Sequence, residues 1–555
     1  MIPYKNNPLA NIVNNVSSFK VYGIYMKIQI QTVTECIVDF GDGTKQTYPG
    51  NMSLFDVTHD YAVDGEYIVN VIGNHSWIRA WNNIIECFQL SESVISCHEG
   101  FQHSNLQKLA STFKFPKCFR DGYFMFYGKS ALDNEFNALP DTLVDGQNMF
   151  TYCTNIKLSL NKLPPNLQVA TAMFTLCKNS NFTMRELPSG LSRINDMFQN
   201  CYNADLPLSA LPNNLVNGKN AFENCFNAKI SLNKLPDSLT NGYYMFSGCH
   251  NAEFTFTNLP SGLSSANAMF NTCSGATLPL SSLPDTLSSC LYTFNNCYSA
   301  QLPLSSLPSG LTNGDYMFYN CSSALLPLSS LPNNLVNGGN MFNNCYNAKL
   351  SLSSLPDSLT DAQNMFSSCK NAQLPLSSLP NNLKNGSYMF SSCSKAELPL
   401  SSLPNNLSSA TSMFSSCSIA KLPLSSLPNN LSSANNMFYD CQNAELPLSS
   451  LPNNLSSANN MFYNCYNAKL PLSSLPNNLK SGDRMFYNCK NAEFDITELA
   501  NNAPVSEWSN LTNITNMFTN CLKITGSKSA FLSKCTNSKL TGANSAFTNC
   551  PLLTD

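Results

Sequence analysis

The amino-acid sequence predicts a repeat solenoid that follows a strand-rich N-terminal region. The first observation is a Phe that recurs every 24 residues from Phe126 to Phe486, which gives 16 units. The second is a Cys three positions after that Phe, which keeps the same step from Cys153 to Cys489. The third is a Leu-Pro-x-x-Leu step ahead of most of these Phe residues. A fixed period of this size is typical of stacked coils that bury a continuous core.

Composition narrows the possible functions of the 555 residues. Hydrophobic residues make up 43% and recur in register, which argues against disorder. Charged residues make up 12% and the net charge is −3, so no basic stripe for nucleic acid is expected. No apolar run is long enough for membrane insertion. The N-terminal residues Met1-Ile-Pro-Tyr-Lys lack the layout of a secretory signal. We expect an extracellular or virion-associated location, and a cytoplasmic one stays compatible.

The region from Val16 to about Ile85 is predicted to form strands. Phe19 to Ile30 is rich in β-branched and aromatic residues with partial alternation. Cys36-Ile-Val-Asp-Phe-Gly-Asp-Gly-Thr44 indicates a strand that enters a turn, and Gly65 to Gly73 indicates a further turn and strand.

These motifs resemble the PKD domain. The resemblance is carried by Asp39-Phe-Gly-Asp-Gly-Thr44, by His59-x-Tyr61 and by Gly65-x-Tyr-x-Val-x-Val71, with Val38 where the family has Trp. It implies an immunoglobulin-like β-sandwich over residues 1–85 that acts as an interaction or spacer module. Within it, Asp39 and Asp42 are either calcium ligands or carboxylates that shape the turn through local hydrogen bonds.

One unit of the array illustrates the expected coil. Ala300, Leu302 and Leu304 alternate with polar residues or Pro, which predicts a short strand with one buried face. From Met317 to Cys321 the apolar residues follow three- and four-residue steps, which predicts a helical or 3₁₀ turn. The inward groups of one coil need stacked neighbours to bury them.

Two further repeat positions bear on the stacking. The Pro of the Leu-Pro-Leu strand cannot donate to a ladder, and Ser replaces it at Ser159, Ser231 and Ser351. The position before the first of these Leu residues alternates in charge, so neighbouring coils in register would attract each other there. Its charged residues are Glu397, Lys421, Glu445, Lys469 and Glu493.

The array resembles the leucine-rich repeats of BspA-like bacterial surface proteins over about 400 residues. The shared steps are Leu-Pro-x-x-Leu followed by Met-Phe-x-x-Cys, as at Leu307 to Cys321. The resemblance implies a leucine-rich-repeat-like right-handed solenoid of about 16 regular 24-residue coils. It also implies adhesion or partner recognition by an extended surface.

The predicted organisation has four parts. Residues 1–85 form the β-sandwich and residues 86–120 an imperfect N-terminal solenoid cap. Residues 121–498 form the solenoid, and residues 499–555 form an irregular C-terminal cap that contains Pro504 and Trp508.

The chemistry-bearing residues favour a non-enzymatic protein. No Cys-x-x-Cys pair stands among the 23 cysteines and only 5 His are present, so neither a metal nor a cofactor site is predicted. The cysteine ladder is interpreted as buried thiols, and the off-ladder Cys290 is expected to be the most exposed thiol. No non-repeating cluster suited to catalysis is evident.

Eight tyrosines form the candidate partner-binding surface. They follow either the ladder Cys or the Phe, among Asn and Ser residues, a setting that suits protein or sugar binding. The alternative is that their rings cover the edges of adjacent coils. The eight are Tyr202, Tyr298, Tyr319, Tyr346, Tyr439, Tyr463, Tyr466 and Tyr487.

The sequence therefore predicts a recognition or adhesion protein, with a phage virion component such as a tail or receptor-binding protein as one hypothesis. The alternatives are a bacterial cell-surface adhesin of the BspA-like type and an intracellular protein-interaction scaffold. Expected partners are a protein or glycan on a cell surface, and self-association is open. Nucleic acid is not an expected partner.

Overall fold

A computed structural model describes residues 15–503 and 508–555, so Pro504 lies outside the described residues. The chain divides into two compact units. Unit 1 comprises Met1–Phe256 with Met269–Thr277, and unit 2 comprises Thr257–Ala268 with Leu278–Asp555.

Unit 1 begins with two sheets. The larger has the order β4-β3-β6-β1-β8-β9, and the smaller has the order β5-β2-β7. Their strands are β1 (Val16–Tyr22), β2 (Tyr25–Thr32), β3 (Cys36–Asp39), β4 (Lys45–Tyr48), β5 (Leu54–Asp60), β6 (Glu66–Ile72), β7 (His75–Ala80), β8 (Ile84–Gln89) and β9 (Lys108–Leu109). Neighbours are antiparallel except β8 and β9, which are parallel.

Alternation along the strands decides which side chains are buried. Met26, Ile28 and Ile30 of β2 are fully buried, as are Phe19 and Val21 of β1, because successive side chains of a strand point to opposite faces. The two sheets with their buried faces are compatible with the predicted β-sandwich.

A buried polar network links the two sheets to the first coil. The Ser17 hydroxyl and His75 Nε2 are 2.7 Å apart, and His75 Nδ1 lies 2.9 Å from the Gly73 carbonyl. The Ser93 hydroxyl donates to the His75 carbonyl at 3.0 Å. Burial lowers the pKa of His75 to about 4, so the ring is neutral at pH 7.

The first coils of unit 1 grow out of the larger sheet. Strand β8 runs through Gln89, past the expected end of the sandwich at residue 85, and β9 adds a parallel strand from the next coil. The apolar residues expected in the N-terminal cap, Leu90, Val94, Phe101 and Leu106, are all buried.

The coils bury the predicted side chains. Ala300, Leu302 and Leu304 are fully buried, and so are Phe318 and Cys321. In unit 2 the Phe rings form a column of near-parallel neighbours with centroids 5.4–5.8 Å apart. Offset stacking of this kind adds to the energy of burying the rings.

The predicted helical or 3₁₀ turn from Met317 to Cys321 is wrong. This segment is a run of turns in which N–H groups alternate between two destinations. Met317 and Cys321 donate within the coil, three residues back, whereas Tyr316, Phe318 and Asn320 donate at 2.9 Å to carbonyls of the next coil. A helix would keep all of these bonds within its own coil. The alternation therefore ties each coil to its neighbour.

Every fourth residue of these turns has a positive φ. Tyr316 has φ 55° and Asn320 has φ 59°. Asn tolerates this left-handed region better than most residues. Its amide also joins adjacent coils, since Asn344 Nδ2 donates to Asn320 Oδ1 at 2.7 Å and Asn320 Nδ2 donates to Asn296 Oδ1 at 2.8 Å.

On the side of the coil away from these turns, the residue between the two Leu residues determines whether a strand forms. In Leu326-Pro-Leu328, Leu326 has φ 38° and the Leu328 N–H turns back to the Leu326 carbonyl at 2.7 Å. Where Ser replaces Pro, the N–H joins the previous coil: Ser351 donates to Leu328 at 3.0 Å, and Ser231 donates to Leu208 at 2.8 Å.

Regular strands in the coils are accordingly short and parallel. In unit 1 they are β10 (Glu135–Phe136), β11 (Lys157–Leu160), β12 (Asn181–Phe182), β13 (Ser231–Leu232) and β14 (Glu253–Phe254).

In the part of unit 2 that the structure describes, the last coils carry two helices in addition to the turns. They contain α1 (Ile496–Asn501), β15 (Gly526–Ser527), α2 (Lys528–Ser533) and β16 (Leu553–Thr554). The Asp495 carboxylate caps α1 by accepting from the Thr497 and Glu498 N–H groups. Trp508 is buried, with its ring 5.0 Å from that of Phe531.

Candidate recognition surface

All eight predicted tyrosines lie on the turn segments that carry the buried Phe and Cys. Tyr202 belongs to unit 1 and the other seven to unit 2. Tyr298 is 46% exposed and Tyr346 is 40% exposed, and the remaining six are half-buried. Their placement next to inward-facing residues explains why the side chains point outward.

Three of them form what we call the tyrosine stack, namely Tyr439, Tyr463 and Tyr487. Adjacent ring centroids are 4.8 Å apart with interplanar angles of 8° and 5°. Burial and the two flanking phenols raise the pKa of Tyr463. Within the described residues none of the three hydroxyls is hydrogen-bonded to the protein. The stack thus offers aromatic edges and a row of free hydroxyls.

The tyrosines that follow the ladder Cys are held more firmly. The hydroxyls of Tyr298 and Tyr346 each donate at 3.3 Å to the Asn two residues earlier. Lys370 lies 5.3 Å from the Tyr346 ring centre, and Lys490 lies 5.1 Å from that of Tyr466. Cation–π contacts of this kind cover one ring face. Tyr346 is therefore partly exposed and also covered on one face by a lysine of the following coil, and whether these rings bind a partner stays a prediction.

Unit 1 carries an aromatic column that was not predicted from the sequence. Phe226 lies between Tyr202 and His250, with centroid distances of 5.1 and 5.2 Å, and is 38% exposed. All three occupy the position after the ladder Cys. Their shared repeat position was the sequence signal for this column. It was overlooked because only tyrosines were considered at that position.

A second missed cluster lies where β7 meets the first coils of unit 1. The Arg79 guanidinium lies 5.2 Å from the Trp77 ring centre and 5.7 Å from that of Trp81, and pairs with Glu99 at 2.8 Å. The His103 ring stacks on Trp81 at 4.9 Å. The sequence signal for this cluster was the alternation of Trp77, Arg79 and Trp81, of which the first two lie in β7 and the third directly follows it. The contacts fasten the strand to the coils.

The expected exposure of Cys290 is wrong. Its side chain is fully buried, because it occupies the small-residue position that Gly314 and Ala362 fill in other coils. Among the described cysteines Cys118 is the one that is partly exposed. The ladder thiols donate to the Phe carbonyl of the preceding coil, as Cys369 Sγ does to Phe342 at 2.9 Å.

The ladder thiols are poorly suited to nucleophilic chemistry. Burial raises the pKa of Cys369 to about 12, and Cys321 and Cys417 behave alike. A reactive cysteine needs the opposite shift.

The carboxylates of the Asp39–Thr44 turn shape the backbone. Asp39 accepts from the Gly41 N–H at 3.1 Å, and Asp42 accepts from the Thr44 N–H at 2.9 Å. Asp42 also pairs with His59 Nε2 at 2.8 Å, and the Thr44 and His59 hydrogen bonds lower its pKa to about 2. These bonds fit the turn-shaping interpretation of the two carboxylates.

Two kinds of site are missing from the residues that the structure describes. No group of three or more His, Cys, Asp or Glu side chains is placed to hold a metal ion. No helix in residues 15–503 or 508–555 is both long and apolar enough to span a bilayer.

Coils stacked on ladders of Leu, Phe and Cys, with a polar turn surface outside, define a leucine-rich repeat protein. The protein-family model "BspA type Leucine rich repeat region" matches residues 169–301, 217–349, 314–445 and 434–554 of the sequence. These matches cover more than half of the chain, which therefore belongs to the BspA-type leucine-rich repeat family. Proteins with such repeats serve in molecular interaction and recognition.

Solved structures give weaker likenesses. A plant peptide hormone receptor, RGFR1 in complex with RGF2, is 14% identical, with coverage of 82% of this chain and 90% of that one and a TM-score of 0.16. The TLR13–ssRNA13 complex is 14% identical, with coverage of 87% and 69% and a TM-score of 0.17. Such low TM-scores support no conclusion about this chain. The comparison with curated proteins gave no match.

Proposed function

We propose that the protein is a non-enzymatic adhesion protein whose turn surface binds a protein or glycan on a cell surface. The tyrosine stack carries this proposal. Tyr439, Tyr463 and Tyr487 present three phenols on consecutive coils, free of hydrogen bonds to the described protein. Tyrosine supplies contact area and a polar tip at low entropic cost, which is why binding surfaces are enriched in it.

The repeat family favours a bacterial cell-surface adhesin, with the N-terminal sheets as the PKD-like spacer and the coils as the right-handed binding array. The virion hypothesis gains no support from the repeat family. The four-part division stays part of this proposal, with its boundaries at residues 120 and 498 as predicted and the first boundary moved from residue 85 to the end of β8 at Gln89.

An intracellular scaffold is a second candidate, favoured by one observation. The ladder thiols act as S–H donors, as at Cys393, whose Sγ lies 2.8 Å from the Phe366 carbonyl. A column of protonated thiols suits a reducing compartment. Immunogold labelling of the producing cells separates the candidates, since label on the envelope, on released particles or in the cytoplasm supports the adhesin, the virion component or the scaffold respectively.

The binding test replaces the three stack tyrosines by Ser, the residue that other coils have at the same position. Full-length protein with Tyr439→Ser, Tyr463→Ser and Tyr487→Ser is fluorescently labelled and tested on a glycan array and on cells by flow cytometry. We expect at least a tenfold loss of binding, because hot-spot aromatics are each worth about 2 kcal/mol or more.

The matched control changes three Ser residues at the same repeat position. Ser367, Ser391 and Ser415 lie on consecutive coils of unit 2, and their replacement by Ala leaves the tyrosine stack intact. We expect wild-type binding from this control. Equal binding by the Tyr→Ser variant would rule out the stack as the binding surface, and binding lost only after glycosidase treatment of the cells would identify a glycan partner.

A further inference from the structure

One column of exposed side chains in unit 2 alternates strictly in charge. It lies on the side of the coils that carries the Leu-Pro-Leu segments, opposite the turns with the buried Phe and Cys. Its six members stand one per coil, and each is exposed. We call them the charge row: Glu397, Lys421, Glu445, Lys469, Glu493 and Lys523.

The backbone fixes the charge row in register. The Glu445 N–H donates to the Lys421 carbonyl at 2.8 Å, and the Glu493 N–H donates to the Lys469 carbonyl at 2.9 Å. Lys523 joins the row through an ion pair with Glu493 at 3.2 Å. At a strand spacing of about 4.8 Å, six coils give a row about 24 Å long.

Most charges of the row lack a counter-charge at contact distance. Among the residues that the structure describes, Glu397, Lys421, Glu445 and Lys469 form no ion pair. They remain available to a partner that carries the inverse pattern.

The row is its own complement when reversed. Read from Glu397 to Lys523 the signs are −+−+−+, and read backwards they are +−+−+−. We propose that this face pairs with a second copy of the chain about a twofold axis that lies perpendicular to the row and passes between Glu445 and Lys469. Glu445 then faces the partner's Lys469, and Lys421 faces the partner's Glu493.

An even number of alternating charges makes this arrangement selective. A twofold axis along the row would set each charge against its own copy and so against a like charge, which is unfavourable. The perpendicular axis pairs all six opposite charges and closes the dimer with one self-complementary surface.

The flanking residues allow close approach. On one side of the row the exposed Pro447 faces the partner's Pro471, and neither has an N–H group to leave unpaired. On the other side the exposed Asn443 faces the partner's Asn467. A standard interface buries about 800 Å² per partner, which corresponds to a patch about 28 Å across. The row, at about 24 Å, is nearly as long as such a patch.

The test uses sedimentation velocity of the full chain at low and high salt. We expect a dimer in dilute NaCl that dissociates at about 0.5 M, because screening shortens the reach of exposed charges to a few Å. A monomer at low salt, a dimer indifferent to salt, or an open-ended polymer would each overturn the proposal.

Charge-reversal variants make the test specific. The variant with Lys421→Glu and Lys469→Glu has five consecutive negative charges, and the variant with Glu397→Lys, Glu445→Lys and Glu493→Lys has six positive ones. Each alone should bind itself at least about tenfold more weakly, since like charges then face each other. An equimolar mixture should form a heterodimer, which also shows that both variants are folded. A mixture that stays monomeric while both variants melt like the wild type would refute the pairing.

The charge-matched control places the same reversals away from the row. Lys384 and Lys480 are exposed in the same unit, at another repeat position. The variant with Lys384→Glu and Lys480→Glu should dimerise as the wild type does. Dissociation of this control would show that net charge, and not the row, governs association.

Discussion

The thiol ladder predicts a steep loss of stability at alkaline pH. We consider the full-length protein with three thiols of unit 2, those of Cys321, Cys369 and Cys417, removed by replacement with Ala. Burial raises the pKa of each thiol from 9.0 to about 12. Unfolding therefore releases one proton per thiol between these two values, and stability falls as the pH rises through that window. Below pH 9 the thiols contribute no pH dependence.

The size of the effect follows from the shift. One pH unit across the window costs about 1.4 kcal/mol per thiol, so three thiols unfolding together cost about 4 kcal/mol per pH unit. Replacing them by Ala removes their share of the slope, whereas buried thiols such as Cys345, Cys393 and Cys441 keep theirs. It leaves no orphan acceptor, because each Phe carbonyl that accepts from a thiol also accepts a backbone N–H, as Phe342 does from Cys345 at 3.0 Å.

The assay is equilibrium denaturation in guanidinium chloride, followed by circular dichroism at pH 8, 9.5 and 10.5 with a reductant present. Tyrosine ionisation is common to both proteins and cancels in the comparison. A second variant with Ser at the three positions should give the same reduced slope, since Ser does not titrate there. Parallel pH profiles for wild type and both variants would refute the reasoning.

Three further predictions concern single residues. Phe390→Ala should destabilise unit 2 by about 3–5 kcal/mol in equilibrium denaturation, because the ring lies between Phe366 and Phe414 at 5.8 and 5.7 Å. Phe390→Leu should cost less, and equal costs would contradict a contribution from stacking. The stability of the N-terminal sheets should be about 2 kcal/mol lower at pH 5 than at pH 7 in thermal melts, since His75 must gain a proton on unfolding as the pH falls from 6.5 towards 4. His75→Gln should remove this dependence, and a variant that keeps it would point to another group. Ser351→Pro should cost about 1–3 kcal/mol in urea, because the Leu328 carbonyl loses its 3.0 Å donor. Unchanged stability would show that this bond is dispensable.

Burial in the coils was predictable because it depends on period alone. Ala300, Leu304 and Phe318 had to face inward once every coil repeated them. The path of the turns was not predictable, because three- and four-residue apolar steps fit a helix as well as a run of turns. Hydrogen bonds from Tyr316 and Phe318 to the next coil decide between them, and no single coil contains that information.

The candidate surface was predictable in part for the same reason. Tyr463 had to point outward because Phe462 and Cys465 point inward. Its stacking on Tyr439 and Tyr487 follows from identical positions in consecutive coils. The Phe226 column was missed because its members differ in residue type and agree only in position. The contacts of Arg79 with two indoles depend on strand geometry and on side-chain directions that the sequence leaves open.

Because the hydrogen bonds of the turns alternate between the same coil and the next one, each coil is bonded only to the coil before it and the coil after it. The backbone N–H groups of Tyr316, Phe318 and Asn320 donate to the following coil. Residues at the same positions make the same bonds in the coils that follow. A gene that gains or loses a whole 24-residue unit within a run of coils therefore leaves every ladder in that run intact. The length of the binding surface can change in evolution without any redesign of the core, one coil at a time.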